Sequence, residues 1–298
     1  MGYYSYIINK IEKENPIHAK KLKNSYSELD EAYKDKFEAF FQRYERMLFQ
    51  SKLNLDYAVS SYLRFCGDML SEQMNFLRTG KYSNTSFEEV NKNVYDNPEV
   101  MNYHMHGLLV SQFLWTHHYQ TFRFFTNRFK KYAGLSNNIL EVGGGHGLYT
   151  SEVLTQLQHD YTFDMVDISA SSIALSKSMV DSNRINYHLQ DIYAFNPRNK
   201  FDFIIMGEVL EHVEDPVALM KKLNEMGASD AKGFITTPCN APSIDHIYLF
   251  RNSEEVKEVM AASGWRMVED FEVYSEPKKA HKNSVSVPMI YAAFIQKK

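Results

Sequence analysis

The sequence predicts an α/β protein in two parts. An α-helical N-terminal domain covers residues 1–135, and a doubly wound, mostly parallel seven-stranded sheet covers residues 136–298. Three observations carry this. Apolar residues recur every three or four positions through the first half, the period of a helix with one buried face. After residue 137 the pattern changes to short apolar runs alternating with helical segments, as in βαβ units. The first of those runs ends in ILEVGGGHGLYT, a strand that turns into a helix through four glycines.

The elements follow in chain order. After Ser27, read as an N-cap, Leu29, Tyr33, Phe37, Phe40, Tyr44, Met47 and Leu48 mark an amphipathic helix. Leu55, Val59, Tyr62, Cys66, Met69, Met74 and Leu77 mark a second, stopped by Gly80. KYSNTSFEEVNKN is polar enough to be a loop. A third helix begins at Asn97-Pro98, a cap followed by proline at the first helical position, and runs on to about Phe129. It is apolar on nearly all sides, so it is expected to be buried.

The strands of the second half are NNILEV, YTFDMVD, RINYHLQD, FDFIIMGE and KGFITTP, with SASSIALSKSMVDS and DPVALMKKLNEMG as helices between them. WRMVEDFEVY and SVPMIYAAFIQK, separated by a short polar loop, read as an antiparallel edge.

Composition narrows the function class. A net charge of -4 gives no polycationic surface for nucleic acid. The basic runs Lys20, Lys21, Lys23 and Arg128, Lys130, Lys131 read as solvated helix faces. Two distant cysteines, Cys66 and Cys239, argue against a disulfide framework. With no signal-like N-terminus and no long apolar span, the expectation is a cytoplasmic protein off the membrane.

The glycine turn separates ligand classes. A phosphate loop needs a lysine after its glycines, and none follows here. The dinucleotide fingerprint needs G-x-G-x-x-G, whereas Gly143, Gly145 and Gly147 give E-x-G-x-G-x-G from Glu141. Acids end successive strands at Glu141, Asp167, Asp191 and Glu208. Such a set suits a cationic ligand rich in hydroxyls better than a pyrophosphate.

With those residues in view, positions 137–298 resemble the class I S-adenosylmethionine-dependent methyltransferases. ILEVGGGHGLYT is similar to their glycine-rich motif, FDMVDIS to the second strand, YHLQDIYAF to the third and FDFIIMGEVLEHVEDP to the fourth. HIYLFRNSEEVKEVMAASGWRMVEDFEVY is similar to the run into the last crossover helix and sixth strand. The resemblance implies a Rossmann-like fold and S-adenosylmethionine as cofactor. It implies Glu141, Gly143, Gly145 and Gly147 around the cofactor, Asp167 with Ile168 at the ribose, and Asp191 with Ile192 at the adenine. Glu208 then faces the amino-acid end and the reacting methyl. It further implies that the helical half caps a small-molecule acceptor site, with a homodimer compatible with that role.

Transfer to a hydroxyl also needs a group to take its proton. Glu208, Glu211 and His212 follow the fourth strand, where the methyl would point, and His212 has a plain alternative role in capping or packing. His146 sits in the glycine turn. On the third helix His104, Leu108, Ser111, Trp115, His118 and Phe122 share a stripe, read either as core or as the roof of an acceptor pocket lined by Tyr103, Trp115 and His118. Asn240, Asp245, His246 and Tyr248 follow the fifth strand and are further acceptor candidates. His104, His106, His117 and His118 are not three or four apart, and Cys239 with His246 has no supporting pair, so no metal site is expected. The catalytic set is His212, His118 and Glu208. Alternatives left open are an RNA or protein methyltransferase, a cofactor-binding protein that does not methylate and, more distantly, a dinucleotide oxidoreductase.

Overall fold

Short polar side chains start most of the N-terminal helices. In the computed structural model, which describes residues 2–276 and 287–298, α1 spans Tyr3–Glu14 and α2 spans Pro16–Ser27. Asn15 caps α2 ahead of Pro16. α3 (Glu31–Gln50) starts at Asp30, whose carboxylate accepts from the Tyr33 amide at 2.8 Å. Ser27 is therefore the last residue of α2 and not the cap of α3; its hydroxyl donates to the Asn24 carbonyl instead. α4 (Leu55–Thr79) starts at Asn54 and ends on Gly80 in the left-handed conformation, as the sequence suggests.

Two readings of the helical half need correction. The stretch taken as a polar loop contains a short helix, α5 (Phe87–Val90), running into a π turn (Asn91–Tyr95). Val90 inside that run and Val94 just past its end are buried, so two apolar residues anchor an otherwise polar segment. The long third helix is two helices. α6 (Pro98–Leu114) and α7 (Thr116–Ala133) are separated by Trp115, whose φ of -102° and ψ of 119° are extended. The break divides the stripe, leaving His104, Leu108 and Ser111 on α6 with His118 and Phe122 on α7.

The strands are β1 (Asn138–Val142), β2 (Thr162–Asp167), β3 (Ile185–Leu189), β4 (Phe201–Gly207), β5 (Gly227–Cys239), β6 (Trp265–Tyr274) and β7 (Met289–Lys297). They form one sheet in the order β3-β2-β1-β4-β5-β7-β6. β7 runs antiparallel to both β5 and β6; the other pairings are parallel. The last strand is therefore internal, and β6 is the edge. Burial gives the reason: β7 is apolar and covered over seven successive residues, whereas β6 mostly alternates exposed with half-buried side chains. Most of the polar loop between β6 and β7 lies outside the described residues. The connecting helices are α8 (Leu148–Gln156), α9 (Ala170–Val180), α10 (Pro216–Met226) and α11 (Ser253–Ala262).

The helical half is fused to the sheet by packing. Its core, built on Phe37, Phe41, Tyr44, Tyr62, Leu109 and Phe113, continues onto Leu148 of α8 and Leu175 and Met179 of α9. α7 goes further and lays Phe124, Phe125, Phe129 and Ala133 directly on the sheet against Phe203, Phe234 and Phe294. The helical layer of the sheet thus begins before residue 136. α6 crosses α4 closely, since a Cβ on Gly107 would meet Phe65 Cβ at 2.5 Å. Among the described residues, no helix is long and apolar enough to cross a membrane.

Candidate active site

The sheet reverses its winding at β1, which lies between β2 and β4. Strand ends at such a switch point leave a crevice, and here one cavity of about 920 Å³ opens there. Its floor is the β1–α8 turn. Gly143 has a φ of +67°, and a Cβ on it would stand 2.5 Å from Val209 Cγ2, so only glycine fits this turn. Gly145 lines the cavity, and its amide donates to Asp167 Oδ2 at 3.2 Å. Gly147 does not line it. It precedes α8 and lets that turn pack against Ser176 and Val180 of α9.

Burial controls the acids at the strand ends. Glu141 is covered and accepts from the Thr150 hydroxyl; burial pushes its carboxyl up to about 8, and Asp167's charge adds to the rise. Asp167 accepts from the Ser169 amide at 2.8 Å as well as from Gly145. Burial still pushes it up to about 6, against the pull of those amides. Asp191 is exposed and accepts from the Tyr193 amide, beside the buried Ile192. Ile168, Asp191 and Ile192 all line the cavity.

At the end of β4 the chain turns through Glu208, a non-glycine residue with a φ of +55°. Such strain persists only where surrounding contacts enforce it. The Glu208 amide donates to both the carbonyl and the hydroxyl of Thr236 on β5. Its Oε1 is buried without a hydrogen-bond partner, and burial pushes the carboxyl up to about 7. Three residues on, Glu211 is fully covered and accepts from Thr237 Oγ1 at 2.9 Å, with its own Oε1 unpartnered. Burial first, then the charge of Glu208, drives Glu211 well above the usual carboxylate range.

The loop after β5 closes over this pair. His212 Nδ1 donates to the Asp245 carbonyl at 2.9 Å, and His246 Nδ1 donates to the Ala241 carbonyl at 2.6 Å. The two rings lie 5.0 Å apart. Asp245 accepts from Ser243 Oγ at 2.7 Å, and its other oxygen is 3.6 Å from His104 Nε2 on α6. Burial alone would raise Asp245, but the surrounding imidazoles of His212, His104 and His246 outweigh it and hold the carboxyl below its usual range.

The opposite wall comes from the helical half. His118 lines the cavity with Nδ1 between Ser111 Oγ at 3.0 Å and Gln112 Nε2 at 3.2 Å. Burial, then the neighbouring His117 and His146, push its imidazole well below the usual value, which keeps it neutral. Trp115, although off the expected helical stripe, does line the cavity, its indole N–H held by Tyr62 Oη at 2.7 Å. Beyond it the walls are Leu22, Phe65, Met69, Leu70 and Met289.

The cavity therefore brings together Glu141, Gly143, Gly145, Asp167, Ile168, Asp191, Ile192, Glu208, His212, Trp115, His118 and His246. Three expected acceptor contacts are not in its lining. Tyr103 turns to α4, donating to Asp68 at 2.7 Å with the Arg64 guanidinium over its ring. Asn240 holds the loop, its Nδ2 donating to the Arg251 carbonyl at 2.6 Å while its Oδ1 is buried without a partner. Tyr248 packs on Phe250. Sequence reasoning missed Tyr95, which meets His212 edge-on at 6.2 Å, and the α2 residues His18 and Leu22 at the far end. The first sat between the run read as loop and the third helix, in a segment given no role, and the others in a stretch read only for its lysines.

A family profile described as a methyltransferase domain matches residues 114–277. The malonyl-[acyl-carrier protein] O-methyltransferase 1 of Ilyobacter polytropus is 30% identical over 87 residues, 29% of this chain and 32% of that protein. The ubiquinone biosynthesis O-methyltransferase of Coxiella burnetii is 35% identical over 103 residues, 34% of this chain and 43% of that protein. The chain thus spans less than half the length of these curated relatives. In three dimensions the mitomycin 7-O-methyltransferase MmcR aligns with a TM-score of 0.54 at 13% identity, covering 81% of this chain and 72% of that one. That likeness is one of fold.

Proposed function

This chain belongs to the class I S-adenosylmethionine-dependent methyltransferase family, and from that premise we propose that it methylates the oxygen or nitrogen of a small, largely apolar acceptor. The observation that carries the proposal is the continuity of the cavity. The acid-bearing strand ends and the apolar walls of α2, α4 and Trp115 line one space of about 920 Å³. That is near the upper end of the range for small-molecule sites, room for a cofactor and an acceptor together.

The residues suit the cofactor. A turn with no room for a Cβ at Gly143 brings bare backbone to the ligand. In our reading Asp167 accepts from the ribose hydroxyls, Asp191 and Ile192 hold the adenine, and Glu141 and Glu208 lie toward the amino acid. When bound, the cofactor supplies a sulfonium methyl: the acceptor's lone pair forms the new bond to carbon as the carbon–sulfur bond breaks and sulfur keeps its electrons.

The chain's own work is positioning and handling the acceptor's proton. We assign the proton to the Glu208, Glu211 and His212 side of the cavity. His118, neutral and held by two partners, is assigned to the wall beside Trp115. The relatives named for O-methylation favour this class of acceptor without extending their own substrates to this chain. We take α1 to α6 as the cap of the site, with α7 counted as part of the sheet's helical layer.

Calorimetry with S-adenosylhomocysteine tests the reading. One equivalent should bind, NAD and ATP should not compete, and Asp167→Ala should weaken binding. Tight NAD binding, or an Asp167→Ala variant with unchanged affinity, would overturn it.

A further inference from the structure

Two buried carboxylates with free oxygens lie in the turn after β4, and the second, Glu211, stands next to two imidazoles each anchored by one ring nitrogen. Glu211 Oε1 and Glu208 Oε1 have no hydrogen-bond partner, although Glu211 is fully covered. Both His212 and His246 donate Nδ1–H to backbone carbonyls, at 2.9 and 2.6 Å. In the neutral ring, that leaves each Nε2 with a lone pair to offer. A buried polar group without a partner is costly, and the free Glu211 oxygen, 3.6 Å from His212 Nε2, calls for a cation between them.

One donor atom from each of Glu211, His212 and His246 fits within a set whose members all lie within 4.8 Å of one another. Ligands on a tetrahedral ion with bonds of ~2.1 Å stand ~3.4 Å apart, so closure needs at most about 1.4 Å of approach between any pair, and Glu211 Oε1 already stands 3.6 Å from His212 Nε2. All three residues line the cavity. We propose that Glu211, His212 and His246 form a binding site for a divalent transition-metal ion in the acceptor half of the active site.

The donor chemistry selects the ion. Two imidazoles and one carboxylate suit zinc, cobalt, iron or manganese, whereas magnesium and calcium prefer oxygen donors throughout. The surroundings match those of built metal sites, where the second ring nitrogen is anchored and carboxylates lie just outside. Here the carbonyls of Asp245 and Ala241 do the anchoring, and an Asp245 carboxylate oxygen lies 3.7 Å from His212 Nδ1. The ion would be held by two segments, the turn after β4 and the loop after β5, so it also ties the acceptor wall together. It narrows the acceptor to one carrying an oxygen that can ligate the metal. That last clause rests on the methyl-transfer reading; the metal site itself does not.

The test uses the full-length protein stripped of metal by a chelator. Calorimetric titration with Co²⁺ and Zn²⁺ should show one equivalent bound, with Co²⁺ developing ligand-field absorption and excess Mg²⁺ failing to displace it. Glu211→Gln and His246→Ala should each weaken Zn²⁺ by at least about 10-fold while S-adenosylhomocysteine still binds. If a variant fails to fold, nitrogen-15 spectra of the wild-type histidines decide. Zn²⁺ should shift the Nε2 resonances of His212 and His246 and leave their Nδ1 protonated. No stoichiometric uptake, or unshifted Nε2 resonances, would overturn the site. Failure of S-adenosylhomocysteine to bind would instead count against the methyl-transfer reading, so the two fail separately.

Discussion

Asp167 is where the chemistry of single residues can be read most directly. Burial holds its carboxyl near 6, and only the ionised form can accept from two hydroxyls. S-adenosylhomocysteine should therefore bind more tightly as pH rises through about 6 and level off above it. Asp167→Asn should abolish that dependence, which titrations between pH 5 and 8 would reveal. Losing hydrogen bonds to a charged acceptor costs about 1.5–3 kcal/mol, so Asp167→Ala should weaken binding about 10- to 100-fold. The two histidines should separate in kinetics. His118, a neutral wall residue, should raise KM with kcat nearly unchanged when replaced by Ala. His212→Ala should lower kcat by about 10²–10⁴-fold. Equal effects at both positions would contradict the division of roles. The strand-end acids were legible in the sequence because each closes a short apolar run. The meeting of Glu211 and His212 with His246 was not, because 34 positions separate His212 from His246 and only the packing of the β5 loop onto the β4 turn joins them.

At the scale of elements, those with strong local signals were legible in advance. Asn97-Pro98 starts α6 and Gly80 ends α4 as read. Trp115 hid the break between α6 and α7, because apolar residues continue on both sides and no proline or glycine marks the site. The extended backbone there is fixed by tertiary contacts, including the indole bond to Tyr62. Likewise the internal place of β7 follows from its covered faces, which local alternation cannot report. Gly107 offers a test of how tightly these elements meet. Alanine in a helix interior normally gains about 1 kcal/mol over glycine. Here its Cβ would meet Phe65 Cβ at 2.5 Å and the Ser61 carbonyl at 2.9 Å. Gly107→Ala should therefore destabilise, by about 1–3 kcal/mol as overpacking does, and lower the Tm. A raised Tm would show that α4 and α6 are not in close contact.

For the whole molecule, the proposal is that the helical half and the sheet share one site. Because α7 packs on the sheet, we propose dividing them after residue 114. Removing residues 1–135 would strip Phe124, Phe125 and Phe129 from the sheet, and that product should aggregate. Removing residues 1–114 keeps α7 on the sheet, and should leave S-adenosylhomocysteine binding measurable while abolishing turnover of acceptor; light scattering and calorimetry on the two deletions check this. The claim that the cavity joins cofactor and acceptor is tested most directly by following a radiolabelled methyl group from S-adenosylmethionine. Full-length protein would be given a mixture of phenols and aryl amines together with total RNA and total protein. Label is expected in a low-mass, solvent-extractable product, made by the full chain and not by the 1–114 deletion. Label confined to RNA or protein, or equal turnover by the deletion, would contradict it.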